Sequence, residues 1–399
     1  MGSYLNPGNF SFRGSLRSKI YVDKSKLIAK TNEVLCTEQK YICVSRPRRF
    51  GKSMAANMLA AYYDRSENTE DLFQNLAISR EKSYEENLNQ YDVIKINMQE
   101  FLSMAGTIEK MLEMLKDYLV VDFEEAYPEV RFRDKNNLIQ TMKDVFSYTK
   151  CPFVILIDEW DCLFREYKQD KEAQKKYLDF LRAWLKDKDY IAMAYMTGIL
   201  PIKKYGSHSA LNMFTEYSMT DPGKLAEYFG FTEPEVSAIC EKYGMSFEEA
   251  KTWYDGYQLV AHRQWKDECY SMYNPKSVVE AMLRHKFGTY WNQTETYEAL
   301  KIYIQMDMDG LKASVIRMLT SDSVSINTGT FSNDMTTFAT KDDVLTLLVH
   351  LGYLTYNSID GTVSIPNKEV SQEYINAIST MNWHGVADSV EASRRLLAF

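Results

Sequence analysis

The chain has 399 residues, of which 45% are hydrophobic and 26% are charged, and its formal net charge is −8 at pH 7. This length and apolar content are sufficient for a globular protein of two or three domains. The acidic balance excludes a protein that coats nucleic acid through overall positive charge, although it allows a local basic patch.

Cysteine, histidine and hydrophobic patterns indicate a cytoplasmic protein without membrane contact. The six cysteines are scattered without Cys-x-x-Cys spacing, which favours reduced thiols, and the five histidines form no ligand cluster typical of zinc. The N-terminal segment has no apolar signal-peptide core. The longest apolar stretch, around residues 191–202, is interrupted and too short to span a bilayer.

Strand, loop and helix patterns follow one another between residues 41 and 63. An apolar run at 41–44 predicts a buried strand, and residues 52–63 have helical spacing. Between them lies Ser45-Arg46-Pro47-Arg48-Arg49-Phe50-Gly51-Lys52-Ser53. A strand, a tight loop ending in Gly-Lys-Ser and a helix form the phosphate-binding arrangement of P-loop NTPases. In that arrangement, backbone N–H groups and the positive helix N-terminus face the phosphates.

This loop supplies most of the predicted nucleotide contacts. We expect Lys52 to reach the β- and γ-phosphates and the Ser53 hydroxyl to ligate Mg²⁺. The usual pattern has glycine where Arg46 stands, and Pro47 removes one backbone donor. The residues predicted to contact the nucleotide are Arg46, Pro47, Arg48, Arg49, Phe50, Gly51, Lys52, Ser53 and Met54. Arg48 and Arg49 would add positive charge in the transition state, or else form salt bridges with neighbouring carboxylates.

A second motif follows about 100 residues further along the chain. Residues 153–157 are a continuous apolar run, typical of a central strand buried on both faces, and the run ends in Asp158 and Glu159. We expect Asp158 to hold Mg²⁺ and Glu159 to act as the general base for the attacking water. A third apolar run, 190–196, ends at Thr197, a candidate γ-phosphate sensor. The alternative is that these polar residues follow the strands only because the loops at strand ends are exposed to solvent.

Strands and helices alternate over residues 1–215. Apolar runs at 41–44, 93–98, 153–157 and 191–196 alternate with helical patterns at 52–63, 108–123 and 173–185. This alternation predicts an α/β domain whose mostly parallel sheet has helices on both faces. A ligand of such a sheet binds at the carboxyl ends of the strands, where Lys52, Asp158 and Thr197 fall.

The remaining chain predicts two smaller regions. Residues 216–290 have helical spacing at 222–229, 233–242 and 247–253, which predicts a helical lid, followed by an Asp-Gly turn at 254–257. In residues 291–399, an amphipathic stretch at 342–351 precedes a hairpin pattern at 353–366, as in the second half of a winged helix. The predicted helix offers Lys341, Asp342, Asp343 and His350, so we expect it to pack or dimerise rather than read DNA.

The loop at 45–53 and Leu156-Ile157-Asp158-Glu159-Trp160-Asp161 together resemble the bacterial AAA-ATPase-like family, which shares the arginine at position 46. The strings at 230–232, 253–257 and 273–275 extend the resemblance over nearly the whole chain. It implies a P-loop ATPase of the additional-strand, catalytic-glutamate class, usually followed by a PD-(D/E)XK nuclease-like domain. No such nuclease core is apparent before Phe399. We therefore expect no nuclease activity, because either the chain is truncated or this member lacks the domain.

These patterns predict Mg²⁺-dependent ATP binding and slow hydrolysis that drives a conformational switch. The catalytic candidates are Glu159, Lys52, Thr197 and Arg49, and the metal ligands are Ser53 and Asp158. The alternative is a nucleotide-gated module with little or no hydrolysis that controls a nuclease-like domain. A small-molecule phosphotransferase is a weaker third reading, because no second catalytic constellation is present. The base preference for ATP rests on the resemblance. The expected partners are the nucleotide, another copy of the chain and a nuclease-like domain.

Overall fold

The computed structural model describes residues 2–202, 211–262, 266–291, 296–306, 308–333 and 335–380. The chain divides into two units. The first contains the residues up to Ser45 and then Lys52–Glu216, and the second contains Arg46–Gly51 and the chain from Tyr217 onward. The parts of the predicted domains at 203–210 and 381–399 lie outside the described residues. The predicted boundary between the lid and the C-terminal region, at 290, stays a prediction.

A mostly parallel sheet organises the first unit. Its described strands are β1 (Tyr41–Ser45), β2 (Asp92–Asn97), β3 (Phe153–Asp158), β4 (Ile191–Gly198) and β5 (Thr215–Tyr217), in the order β2-β3-β4-β1-β5. The pairs β2–β3, β3–β4 and β4–β1 are parallel. Every residue of β1, β3 and β4 is buried, which explains their continuous apolar runs. Because β4 lies between β1 and β3, the predicted additional-strand α/β fold is confirmed.

Helices connect these strands and supply the rest of the core. In the described part of the unit they are α1 (Phe10–Leu16), α2 (Lys26–Asn32), α3 (Lys52–Tyr63), α4 (Glu70–Phe73), α5 (Tyr84–Asn87), α6 (Met98–Ala105), α7 (Ile108–Ala126), α8 (Leu138–Thr149), α9 (Cys162–Glu166) and α10 (Lys171–Leu185), with a 3₁₀ turn at Ala77–Arg80. The three predicted helices are α3, α7 and α10. In α10 the Asp170 side chain accepts a hydrogen bond from the Ala173 N–H at 2.9 Å, which caps the first turn.

The strand register brings the carboxyl ends of the parallel strands to one edge of the sheet. Ser45 at the end of β1 pairs with Gly198 at the end of β4. Asp158 at the end of β3 pairs with Asn97 at the end of β2. Polar side chains that follow these strands therefore gather at a single edge, where parallel α/β sheets bind ligands.

The second unit combines helices with two small antiparallel sheets. Its described strands are β6 (Phe231–Thr232), β7 (Tyr257–His262), β8 (Asp267–Tyr273), β9 (Val324–Ser325), β10 (Thr355–Asn357) and β11 (Thr362–Ser364). They form the sheets β6-β8-β7 and β10-β11-β9. The helices are α11 (Glu233–Tyr243), α12 (Phe247–Tyr254), α13 (Pro275–Arg284), α14 (Thr296–Ile304), α15 (Leu311–Leu319), α16 (Lys341–Leu351) and α17 (Lys368–Ser379), with 3₁₀ turns at Gly223–Tyr228 and Thr328–Thr330.

The prediction that residues 216–290 are helical is wrong in part. Helices α11, α12 and α13 are present, but β7 and β8 form an antiparallel ladder between them. The first five residues of β8 are exposed or half-buried and largely polar, so the segment lacks the apolar run of a buried strand. Cross-strand pairing and the tertiary environment, rather than local hydrophobic pattern, determine this ladder.

The predicted helix followed by a hairpin near the C-terminus corresponds to α16 and the β10–β11 pair, and β9 adds a third strand. Every residue of α16 from Asp343 to His350 is buried. This burial favours a packing role for α16 over insertion into a DNA groove, and the winged-helix assignment stays a prediction. Within the described residues, no helix combines the length and hydropathy needed to cross a membrane.

Candidate functional site

Lys52 begins α3 immediately after the Gly-Lys-Ser loop, and its side chain points into an acidic environment. Only 5% of the residue is exposed. Burial lowers the pKa of the Lys52 ammonium, and the nearby carboxylates of Glu159 and Asp158 act in the opposite direction. The structure therefore brings together the lysine and the acidic pair that the sequence placed about 100 residues apart.

The Asp158 carboxylate is fixed at the end of β3. Its Oδ1 accepts a hydrogen bond from the Thr197 hydroxyl at 3.1 Å and another from the Glu159 N–H at 3.0 Å. Both Asp158 and Thr197 are buried. Thr197, predicted to sense the γ-phosphate, thus orients the predicted metal ligand in this structure, and the sensor role stays a prediction.

Glu159 has an unusual backbone conformation and a charged partner. Its φ is +53°, in the left-handed region that costs a residue with a side chain about 1 kcal/mol or more. Its carboxylate forms an ion pair with the Arg165 guanidinium, and the two side chains are 24% and 9% exposed, respectively. Burial raises the pKa of Glu159, while the positive charges of Arg165 and Lys52 oppose that rise.

Asp161 and Arg165 belong to this site, although motif analysis assigned them no role. Asp161 is fully buried, and its Oδ2 accepts hydrogen bonds from the N–H groups of Ile199 at 3.0 Å and Leu200 at 2.8 Å. Its Oδ1 lies 3.4 Å from Arg165 Nε. Asp161 therefore ties the segment after β4 to the segment after β3.

Close packing at the end of β4 explains the glycine that follows Thr197. A Cβ atom at Gly198 would lie 2.8 Å from Asp161 Oδ1 and from two atoms of the Trp160 ring.

A further cation, Lys95 on β2, is half-buried. Burial lowers its pKa, and its largest opposing influence is the negative charge of Asp158.

The loop before Lys52 packs within the second unit. The Arg46 side chain is fully buried, its Nη1 donates to the Tyr217 carbonyl at 2.8 Å, and its guanidinium lies 5.4 Å from the centre of the Phe229 ring. The Phe50 carbonyl accepts a hydrogen bond from the Gly230 N–H at 3.1 Å. The Arg46 side chain and the Phe50 backbone therefore anchor the loop within the second unit.

The other loop residues differ in exposure. Pro47 is buried, Arg48 is exposed, and Arg49 and Gly51 are half-buried, with φ values of +70° for Arg49 and +89° for Gly51. At the start of α3, Ser53 and Met54 are exposed. The predicted contacts of these residues with a nucleotide stay predictions.

The donor atoms at the sheet edge fit a magnesium ion bound together with a triphosphate. Both hydrogen bonds that the described residues make to the Asp158 carboxylate end on Oδ1, which leaves Oδ2 for a metal. In the described ranges, no three or more His, Cys, Asp or Glu side chains form a group able to hold a metal ion by themselves. Mg²⁺ is commonly held by one or two protein oxygens plus phosphate and water, so the Asp158 carboxylate suits it, and the assignment of Ser53 as a second ligand stays a prediction.

Comparison with known proteins identifies relatives of this architecture. Residues 12–207 match the model of the AAA-ATPase-like family, described as predicted AAA-ATPases. A protein described as uncharacterized, from the vnfD 5′ region of Azotobacter chroococcum mcd 1, is 24% identical over 287 residues, which are 69% of this chain and 51% of that protein. The chain therefore spans about half the length of this relative.

Two solved structures align over nearly their whole length with low similarity scores. The Aeropyrum pernix ORC2 protein, solved as ADPNP–ADP complexes, has a TM-score of 0.36 and 8% identity, with 95% of this chain and 98% of that chain covered. The Aeropyrum pernix ORC1 protein in complex with DNA has a TM-score of 0.29 and 11% identity, with 96% and 99% covered. The family match over residues 12–207 supports nucleotide binding by this chain.

Proposed function

We propose, because residues 12–207 match the model of the AAA-ATPase-like family, that this chain binds ATP with Mg²⁺ and hydrolyses it slowly to drive a conformational switch. The observation that carries the proposal is the proximity of Lys52, Asp158 and Glu159 at the carboxyl edge of a parallel sheet. A buried ammonium beside two carboxylates suits a metal–triphosphate unit, because the lysine pairs with phosphate while a carboxylate holds the cation.

Each residue of the site has a distinct role in this proposal. Lys52 would bind the β- and γ-phosphates, and Ser53 and Asp158 would hold Mg²⁺, which neutralises charge on the phosphates. Thr197 would keep the Asp158 carboxylate in one orientation through its hydrogen bond to Oδ1. The role proposed for Arg49, added positive charge in the transition state, rests on its position in the sequence motif.

Glu159 is the residue best placed to activate water. It follows the proposed metal ligand directly, and 24% of its side chain is exposed. A carboxylate in this position can accept a hydrogen bond from a water molecule and take its proton as the water attacks the γ-phosphorus. The left-handed backbone of Glu159 supports a functional placement, because such strain persists where the surrounding structure enforces it.

A nucleotide-gated module with little hydrolysis is the second candidate. One observation favours it, namely that the carboxylate of the proposed base is ion-paired with Arg165. A base held by a guanidinium is less free to accept a proton, so ATP would persist in the site and stabilise one conformation. In this second candidate the module would control a nuclease-like domain, whereas the other proposed partner, a second copy of the chain, is compatible with both candidates.

Calorimetric titration with ATP, GTP and ADP, with and without Mg²⁺, tests nucleotide binding, base preference and metal dependence together. We expect Lys52→Ala to lose ATP binding, and Lys175→Ala, a change at an exposed residue of α10, to retain it. We expect Glu159→Gln to bind ATP normally but to lose most of its turnover. Normal ATP binding by Lys52→Ala would refute the site, and normal hydrolysis by Glu159→Gln would refute the assigned base. Single-turnover kinetics in which bound ATP persists for hours would favour the module.

A further inference from the structure

We propose that Arg165 is a positioning residue that holds Glu159 in a resting state and must release it before hydrolysis. This inference rests on the proposed function, because it concerns the regulation of the same site. It assigns a role to a residue that the sequence motifs do not mark. It also explains how one protein could combine a complete set of ATPase residues with slow turnover.

The contacts of Arg165 support the proposal directly. Its guanidinium forms an ion pair with Glu159, and only 9% of its side chain is exposed. An ion pair sheltered from water is screened far less than one on the surface, so the carboxylate is held more firmly. A water molecule that is to be activated must compete with the guanidinium for the same carboxylate oxygens.

Arg165 also connects the base to the segment that follows β4. Its Nε lies 3.4 Å from Asp161 Oδ1, and the other oxygen of Asp161 accepts the N–H groups of Ile199 and Leu200. These two residues come directly after Thr197 and Gly198. A displacement of the chain at 199–200 would therefore move Asp161, and with it the guanidinium that holds Glu159.

The geometry of an arginine is important for this role. A guanidinium is planar and presents several donors, so one side chain can bind two carboxylates at once, which an ammonium does less well. In the resting arrangement one terminal nitrogen of Arg165 donates to Glu159, while its Nε lies 3.4 Å from Asp161 Oδ1 as an ion pair without a hydrogen bond. Lysine keeps the positive charge but lacks the planar set of donors, so Arg165→Lys should weaken the contact with Glu159 without abolishing it.

The test compares single-turnover ATP hydrolysis by the full chain carrying Arg165→Gln, Arg165→Lys or no change. We expect kcat to rise about tenfold in Arg165→Gln and about threefold in Arg165→Lys, with the ATP affinity unchanged, because a partly buried ion pair no longer competes for the base. Arg182→Gln, a change at an exposed arginine of α10, serves as the matched control and should leave the rate unaltered. In a Glu159→Gln background, Arg165→Gln should produce no rise.

Each result decides the proposal. An unchanged or lower kcat in Arg165→Gln with normal ATP affinity would overturn it, as would an equal rise in the Glu159→Gln background. If Arg165→Gln fails to fold, Arg165→Lys decides, and a rate equal to that of the unchanged chain would refute the proposed role of Arg165. Failure of the unchanged chain to bind ATP would instead refute the proposed function itself, so the two failures are distinguishable.

Discussion

Replacement of Asp161 by asparagine should destabilise the first unit substantially, although the two side chains have nearly the same shape. Asp161 is fully buried, and its carboxylate serves three groups at once. Two backbone N–H groups bind Oδ2 at 3.0 and 2.8 Å, and Arg165 Nε lies 3.4 Å from Oδ1. Asparagine retains one oxygen for the backbone groups but loses the negative charge.

The magnitude follows from these contacts. A hydrogen bond to a charged group contributes about 1 kcal/mol more than a neutral one, so the two backbone contacts together account for about 2 kcal/mol. The lost ion pair adds about 1 kcal/mol, since Arg165 keeps its contact with Glu159 and is not left without a carboxylate. The expected loss of about 3 kcal/mol would lower the Tm of a unit of this size by about 6–12 °C.

Differential scanning calorimetry checks this expectation, because it can separate the transitions of two units. Asp179→Asn, a change at an exposed acidic residue of α10, is the control and should alter the free energy of unfolding by less than about 0.5 kcal/mol. A Tm for Asp161→Asn within about 1 °C of the unchanged chain would show that the charge of Asp161 contributes little, contrary to the argument from its contacts.

Two further predictions concern single polar groups. Thr197→Val removes the hydroxyl that donates to Asp158 Oδ1, so the gain in ATP affinity on adding Mg²⁺ should fall about tenfold in calorimetric titrations, and an undiminished gain would contradict the orienting role. Glu369 is buried in the second unit, where its Oε1 accepts the N–H groups of Tyr290 and Trp291, and burial raises its pKa. The folded state therefore holds the carboxyl proton of Glu369 more tightly than the unfolded state does. The free energy of unfolding of the unchanged chain consequently falls as the pH rises above 4.5, the pKa of Glu369 in the unfolded chain. Glu369→Gln has no proton to lose, so its free energy of unfolding, measured in urea, should rise relative to that of the unchanged chain between pH 4 and pH 7. A difference between the two that does not depend on pH would refute the reasoning.

Local sequence patterns predict four of the five described strands in the sheet of the first unit, β1 to β4, but not β5. The apolar runs correspond to β1, β3 and β4 because strands that are covered on both faces need apolar side chains at every position. The helix predicted at 52–63 is α3, since the Gly-Lys-Ser ending marks its first turn. Motif spacing then placed Lys52, Asp158 and Thr197 at one edge, because parallel strands share their direction.

The partners of Glu159 could not be predicted in the same way. Arg165 lies in the short helix α9 and forms its ion pair with Glu159 only once the chain after β3 has folded, and Asp161 meets residues 199–200 only after two strands pair. Neither contact leaves a periodic signal in the sequence. The available hint was the third acidic residue in Asp158-Glu159-Trp160-Asp161, namely Asp161, to which the motif for nucleotide binding assigns no function.

The segment at Asp255 and Gly256, between α12 and β7, shows what local chemistry predicts and what it omits. The Asp-Gly pair predicts a turn at 254–257, and in the structure these two residues join the end of α12 at Tyr254 to the start of β7 at Tyr257, both of which are buried. Gly256 has φ +110°, and a Cβ atom there would lie 2.0 Å from the carbonyl oxygen of Pro366. The glycine is therefore required both by its own backbone and by a segment more than a hundred residues away, which sequence spacing cannot reveal.

The arginine at the first position of the phosphate loop has a physical explanation in its packing. Arg46 lies buried against the Phe229 ring and donates to the Tyr217 carbonyl, so its side chain is committed to the protein interior. A glycine there would allow more backbone freedom but would remove this anchor. The departure from the usual loop pattern thus reflects how residues 46–51 are held within the second unit. In the proposed function, the backbone N–H groups of the loop and Lys52 would bind the phosphates, and neither role requires a particular side chain at residue 46.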